Sequence, residues 1–189
     1  MEPDTAAARV RRFEGEILVH LNDLYRAALR LTGKVPEAED LVQETCLRAF
    51  QSLDQLRHRE AARAWVFSIL RSVFLRQAER NALQPVLVSL EDLDASVLPR
   101  GEALRDLYEN YSLRPEGLRQ EVRQAILRLP LPYREAIVLA HIGGFSYREM
   151  ARILEVPMGT VMSRLFRARR MLRTLLRETI QGRCRPETV

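Results

Sequence analysis

SYREMARILEVPMGTVMSRLFRARRML, residues 146 to 172, is the stretch from which the rest of the chain can be read. Ser146 and Glu149 have the spacing of a capping box, in which the hydroxyl accepts from the amide of Glu149 and the carboxylate reaches back. Met150, Ala151, Ile153 and Leu154 then make one face of a short helix. Val156-Pro157 breaks it, and Pro157 opens a second helix because its missing N–H would be unpaired there anyway. In that second helix Val161, Leu165, Ala168 and Leu172 form a single apolar stripe. At about 100° per residue, Ser163, Phe166, Arg167 and Arg170 point the other way, with Arg164 and Arg169 flanking them and Thr160 at the start. Two helices joined by a tight turn, the second with a basic outer face, describe a helix-turn-helix whose second helix enters a DNA major groove. Arginines there neutralise phosphates or fork onto guanine edges. Charge alone would equally describe a solvated arginine face; the capping box, the proline-started helix and the basic face together favour DNA.

The same residues, with Phe145, resemble region 4 of the extracytoplasmic-function (ECF, group IV) sigma factors of bacterial RNA polymerase, part of the sigma-70 family. The run V-P-x-G-T-V-x-S-R-L-x-R-A-R, here Val156 to Arg169, is one of that family's more specific signatures. The resemblance implies that Thr160, Ser163, Arg164, Arg167 and Arg170 contact the duplex −35 promoter element. Two positions depart from the pattern. Met162 stands where Lys or Arg is common, which removes a possible DNA contact. Glu155 stands where the turn commonly has Gly, which raises the question of whether Glu155 takes the conformation Gly supplies.

The chain has 189 residues, is 47% hydrophobic and is sparse in glycine, so it is globular and long enough for one domain or two small ones. Helical-period segments dominate, and the expected fold is all-α: two small helical domains, residues 13–80 and 118–180, joined by a flexible acidic linker over 81–117. Charge is unevenly spread around a net +5. Leu118 to Arg185 has fourteen arginines against five glutamates, Phe13 to Arg80 is balanced, and Asn81 to Gly117 is acidic. A neutral front, an acidic middle and a basic rear suggest three different partners or surfaces. No apolar run is long enough to cross a bilayer, and the N-terminus MEPDTAAARVRRF lacks an apolar signal core, so no membrane insertion and a cytoplasmic location are expected. Cys46 and Cys184 belong to no Cys-x-x-Cys pair and read as free thiols. His20, His58 and His141 are scattered, and no metal site or cofactor is expected.

In the front half, Phe13, Ile17, Leu21, Leu24, Ala28 and Leu31 predict one helix from about Phe13 to Thr32, stopped by Gly33. Pro36 starts the next, with Glu37, Glu39 and Asp40 suited to the positive end of its dipole. Leu41, Thr45, Ala49 and Leu53 continue its apolar face, and Asp40, Gln43, Glu44 and Arg48 form a polar strip. Alone, that strip reads as a solvated face. The segment A-E-D-L-V-Q-E-T-C-L-R-A-F, however, resembles family region 2.2. The resemblance implies that Asp40, Leu41, Gln43, Glu44 and Arg48 dock on the clamp helices of the polymerase largest subunit, and it leaves Cys46 a packing role.

A polar loop from Asp54 to Glu60 leads to a helix from about Ala61 to Arg80, with Ala62, Trp65, Ile69, Leu70 and Val73 facing the core and Arg71, Arg76 and Arg80 near the opposite side. By resemblance to regions 2.3 and 2.4, Arg57, His58, Arg59, Arg76 and Arg80 are candidates for melted −10 DNA, where a flipped base costs a few kcal/mol that pocket contacts return. Leu56 stands where an aromatic often sits, and Ser72 where Asn is common.

Pro85, Pro99 and Pro115 interrupt the acidic middle, whose length marks it as an interdomain connection. Leu104, Leu107 and Tyr108 suggest a short helical turn. By resemblance this tether threads the RNA path of the polymerase, with Glu91, Asp92 and Asp94 in the channel. Behind it Val122, Ile126 and Leu129 predict a helix ended by Pro130 and Pro132. Tyr133 to Ile142 predicts another, turned by Gly143-Gly144 into Ser146. The last helix is expected to reach about Thr179.

No catalytic constellation is present: no Ser/Cys–His–acid grouping, no phosphate loop, no H-E-x-x-H. The chain reads as a binding protein, not an enzyme, that gives core RNA polymerase its promoter choice. The resemblance further implies an anti-sigma partner, though no residue points to one. A helix-turn-helix regulator acting without polymerase, and a degenerate sigma paralogue acting as an interaction protein, are the other two classes open at this level.

Overall fold

In the computed structural model, which describes residues 6–83 and 116–183, every regular element among the described residues is a helix. The front half comprises α1 (Ala6–Glu16), a 3-10 turn (Leu18–His20), α2 (Leu21–Thr32), α3 (Val35–Gln51), two more 3-10 turns (Leu53–Gln55 and Arg59–Ala61) and α4 (Ala62–Leu83). The rear half comprises α5 (Glu116–Leu127), α6 (Leu131–His141), α7 (Tyr147–Leu154) and α8 (Met158–Arg183). The expected all-α fold of two helical halves is what is observed. Glu91, Asp92, Asp94, the turn expected at Leu104 to Tyr108, and Cys184 lie outside the described residues.

Local chemistry sets most of the boundaries. Gly33 ends α2 at φ 82, in the left-handed region that costs an L side chain energy, and its N–H bonds the Leu29 carbonyl. Pro36 lies in the first turn of α3, where no N–H is needed. Two expectations are corrected. The single helix expected from Phe13 to Thr32 breaks at Ile17 (φ −113), and the chain passes through a 3-10 turn. The break buries Ile17 completely and lays α1 against the end of α3. There Phe13 meets Phe50 edge-on at 5.3 Å, and Arg9 donates to Asp54 and to the carbonyls of Phe50 and Gln51. Likewise Pro130 and Pro132 do not end α5, which stops at Leu127; Pro130 is the N-cap of α6 and Pro132 lies in its first turn.

The helix ahead of the proposed DNA-binding helix is capped as its sequence requires. Glu149 N–H donates to Ser146 Oγ (3.4 Å), while Ser146 N–H donates to Glu149 Oε2 (2.8 Å). Glu155 takes the turn that Gly normally makes, at φ 54 and ψ 43. Val161, Leu165 and Ala168 of α8 are 0–1% exposed, against Met150, Ile153 and Leu154 of α7 and the buried face of α6. Burying a side chain such as Leu165 contributes about 1.5–3 kcal/mol.

The two halves share a core. α4 carries it: Val66, Leu70 and Val73 are buried, and Phe67 meets Phe145 of the rear half edge-on at 4.8 Å. Trp65 and Ile69, expected on the core face, are only partly buried. Arg71 Nε donates to the buried Glu135 Oε1 at 2.8 Å. The Arg134 guanidinium donates to the carbonyls of Leu127 and Leu129 at the end of α5 and to that of Leu31 in α2. One side chain thus satisfies carbonyls that two helix ends leave unpaired.

Candidate nucleic-acid and polymerase interface

The outer face of α8 follows from its inner one. With Val161, Leu165 and Ala168 held in the core, the helical period turns Ser163, Arg167 and Arg170 fully outward and leaves Thr160 and Arg164 half exposed. Ser163 Oγ donates to the Thr160 carbonyl at 3.0 Å. Among the described residues no carboxylate pairs with Arg164, Arg167, Arg169 or Arg170. Their positive charge therefore faces solvent uncompensated, as a phosphate-binding surface requires. All five sequence-derived candidates on α8 lie within one turn-to-turn arc.

The front half presents two further surfaces. Arg57, His58 and Arg59 are exposed between the second and third 3-10 turns, while Leu56 beside them is 3% exposed and anchors the loop to the core. Arg12 also donates to the Leu56 carbonyl, fixing the loop from α1. Arg76 and Arg80 are exposed on α4.

On α3, Asp40 and Gln43 are exposed, and Glu44 and Arg48 are half-buried and paired with each other through Arg48 Nε and Glu44 Oε1 at 2.5 Å. Leu41, expected among the docking residues, is fully buried, because it belongs to the stripe that packs α3 on the front core. It can hold the helix in place but offers no surface to a partner. Leu47 was missed: it is 52% exposed, one turn beyond Gln43, beside a groove between α3 and α4 lined by Glu44, Leu47, Arg48, Gln51, Ile69 and Ser72. Its signal was an apolar residue off the buried stripe and on the polar one. Cys46 is half-buried against the core, and burial pushes its thiol above the ordinary range, which suits packing better than reactivity. The described residues contain no cluster of His, Cys, Asp and Glu that could hold a metal ion and no helix long and apolar enough to cross a membrane.

A chain with these two halves, and a capped helix-turn-helix in the second, is of the class of promoter-recognition proteins. Residues 17–83 match the family Sigma-70 region 2, and residues 119–172 match Sigma-70, region 4. The ECF RNA polymerase sigma factor EcfG of Rhodopseudomonas palustris is 34% identical over 161 residues, covering 85% of this chain and 83% of the relative. The ECF RNA polymerase sigma-E factor of Escherichia coli K12 is 36% identical over 140 residues, covering 73% and 71%. Among solved structures, the sigma factor RpoE in complex with the anti-sigma factor NepR from Bartonella quintana superposes with a TM-score of 0.65 at 30% identity, covering 87% of this chain and 96% of that one. CnrH in complex with the cytosolic domain of CnrY superposes at 0.61 and 26% identity, covering 89% and 90%. The chain belongs to the ECF sigma factors of the sigma-70 family: it serves RNA polymerase in promoter-specific initiation of transcription.

Proposed function

We propose that three surfaces divide this work. Asp40, Gln43, Glu44 and Arg48, with Leu47 at the edge of the adjoining groove, dock the chain on the clamp helices of the largest polymerase subunit. Arg57, His58, Arg59, Arg76 and Arg80 hold the melted −10 strand. Thr160, Ser163, Arg164, Arg167 and Arg170 hold the −35 duplex, where phosphate contacts supply most of the affinity and base edges or DNA shape supply choice. The corresponding units are residues 13–80 and 118–180, with 81–117 as the connection. The observation that carries this reading is the uncompensated arginine face of α8, held outward by a buried stripe and a capped preceding helix.

The bond-making chemistry belongs to the polymerase, and the chain works in the cytoplasm beside it. An anti-sigma partner is proposed from the two structural neighbours, each solved with a protein bound. Reconstituted transcription tests the whole: purified chain and core enzyme are incubated on genomic DNA and the transcript starts are sequenced. Starts sharing two upstream elements are expected. A chain that footprints a promoter without core would instead be a free-standing regulator, and one that supports no transcription would be an interaction protein.

A further inference from the structure

Arg9, Arg12, Phe13 and Glu16 share one face of α1, at i, i+3, i+4 and i+7. That face lies on the end of α3 and on the loop behind it. Arg12 reaches into the loop itself: its Nη2 donates to the Leu56 carbonyl at 2.5 Å, while its Nε donates to Glu16 Oε2 at 3.3 Å, which steadies the guanidinium. We propose that Arg12 is a positioning residue for promoter melting, gripping the Leu56 carbonyl so that Arg57, His58 and Arg59 stand ready for the unpaired strand. This rests on the assignment of that loop to the −10 strand.

The loop is a short extended run between two 3-10 turns, Leu53–Gln55 and Arg59–Ala61, with Leu56 at ψ 97 and His58 at φ −128 and ψ 123. The turns engage the Leu56 N–H, which donates to the Leu53 carbonyl, and the His58 carbonyl, which accepts from the Ala61 N–H. Among the described residues no backbone N–H donates to the Leu56 carbonyl, so Arg12 supplies what the turns leave out. The Leu56 side chain, 3% exposed, pins the residue to the core. That pin alone would let the peptide beyond it swing about ψ. The peptide is planar and trans, so holding its oxygen fixes the plane from which Arg57 departs.

Arg57, His58 and Arg59 are exposed, and no carboxylate among the described residues pairs with Arg57 or Arg59. Their order is therefore that of the backbone beneath them. Holding a base out of the stack is costly, and contacts with the loop must offset that cost. A loop that had to be ordered at the same moment would offset less, whereas one already held loses less freedom on binding. Arg9 has a different place. It donates to Asp54 and to the carbonyls of Phe50 and Gln51, so it ties α1 to the end of α3 ahead of the extended run. The two arginines thus separate anchoring of α1 from alignment of the loop.

The test uses the full chain bound to core polymerase and a labelled single-stranded oligonucleotide carrying the downstream element recovered from sequenced transcript starts. Arg12→Met keeps the stem and removes the donor. It should assemble with core normally yet bind the oligonucleotide about tenfold more weakly, the worth of one hydrogen bond to a charged group. Arg12→Lys, whose ammonium also donates to a carbonyl, should recover affinity to within about threefold of native. Arg9→Met should stay within about twofold, because it loosens α1 without releasing the Leu56 carbonyl. Native affinity in Arg12→Met overturns the proposal. So does an equal loss in Arg9→Met, which would make Arg12 one anchor of α1 among others, or an Arg12→Met chain that no longer assembles with core, which would make it a residue of the fold. A chain with Arg57, His58 and Arg59 all replaced by Ala separates the underlying reading: undiminished oligonucleotide binding there would remove the −10 assignment itself.

Discussion

Glu155 occupies the left-handed region at φ 54, where a side chain costs roughly 1–2 kcal/mol relative to a conformation it prefers. Among the described residues it pairs with Arg71 at 3.8 Å, a contact 84% exposed on the glutamate side that offsets little. Glu155→Gly should therefore raise stability by about 1 kcal/mol, part of the relief being lost to the greater freedom of an unfolded glycine. An upward shift of the urea midpoint at constant slope is the readout. Ser146→Ala should act in the opposite direction, costing about 1 kcal/mol through the lost cap. The same motif carries a pH signature. Hydrogen bonds from the Ser146 hydroxyl and amide hold the Glu149 carboxyl below its ordinary value of 4.5. A depressed folded-state value means that the contribution is present above about pH 4.5 and is lost as pH falls through the folded value. Glu149→Gln should flatten that part of the stability profile, as acid-range urea titrations would show. The capping box was legible in the sequence because Ser146 and Glu149 lie only three positions apart. Leu41 was legible too, on the apolar stripe with Thr45, Ala49 and Leu53; the resemblance alone put it among the docking residues, and its complete burial corrects that.

An element can be read when its own residues determine its faces, and α8 is the clear case. Its buried stripe was visible as spacing, so the arginine face was visible by subtraction. If about four of those arginines meet phosphates, the slope of log affinity against log salt should be near −3 to −4 on duplex promoter DNA. Arg167→Ala should make the slope shallower by about one if that residue contacts phosphate; if it reads a base, it should cost about 1–3 kcal/mol and relax choice at one position. Fluorescence anisotropy of the polymerase-bound chain over a salt series separates these outcomes, and no change in either quantity would make Arg167 a bystander. Helices whose faces are set by distant chain were less legible. The break at Ile17 pays off only through Phe50, Asp54 and Leu56, some forty residues away. α4 is apolar around much of its circumference because front-half helices cover one side and α7 another. Its pattern therefore suggested Trp65 and Ile69 as core while Phe67, at the contact between halves, went unremarked.

That contact between halves constrains how the molecule works. Elements named for positions −35 and −10 lie 25 base pairs apart, about 85 Å along B-form DNA at roughly 3.4 Å per pair. A packed chain of this length is only about 40 Å across, so one closed molecule does not reach both. The 32 residues between Leu83 and Glu116 have a contour of up to about 105 Å, enough to connect the separated halves. On the proposed division, with the front half on the −10 strand and the rear half on the −35 duplex, promoter binding breaks the Arg71–Glu135 pair, the Phe67–Phe145 contact and the bond from Arg134 to the Leu31 carbonyl. Arg71→Ala tests how firmly they hold. Removing one partner of a buried pair costs about 3–5 kcal/mol when the remaining charge stays buried. Here Glu135 can regain water if the halves part, so the loss is limited by the strength of their contact, and opening is expected before unfolding. Energy transfer between fluorophores on exposed Gln55 and Arg148 should be high in the free native chain, lower in Arg71→Ala, and lower still when core enzyme and promoter are added. Transfer that stayed high on the promoter would mean that one half alone meets the DNA.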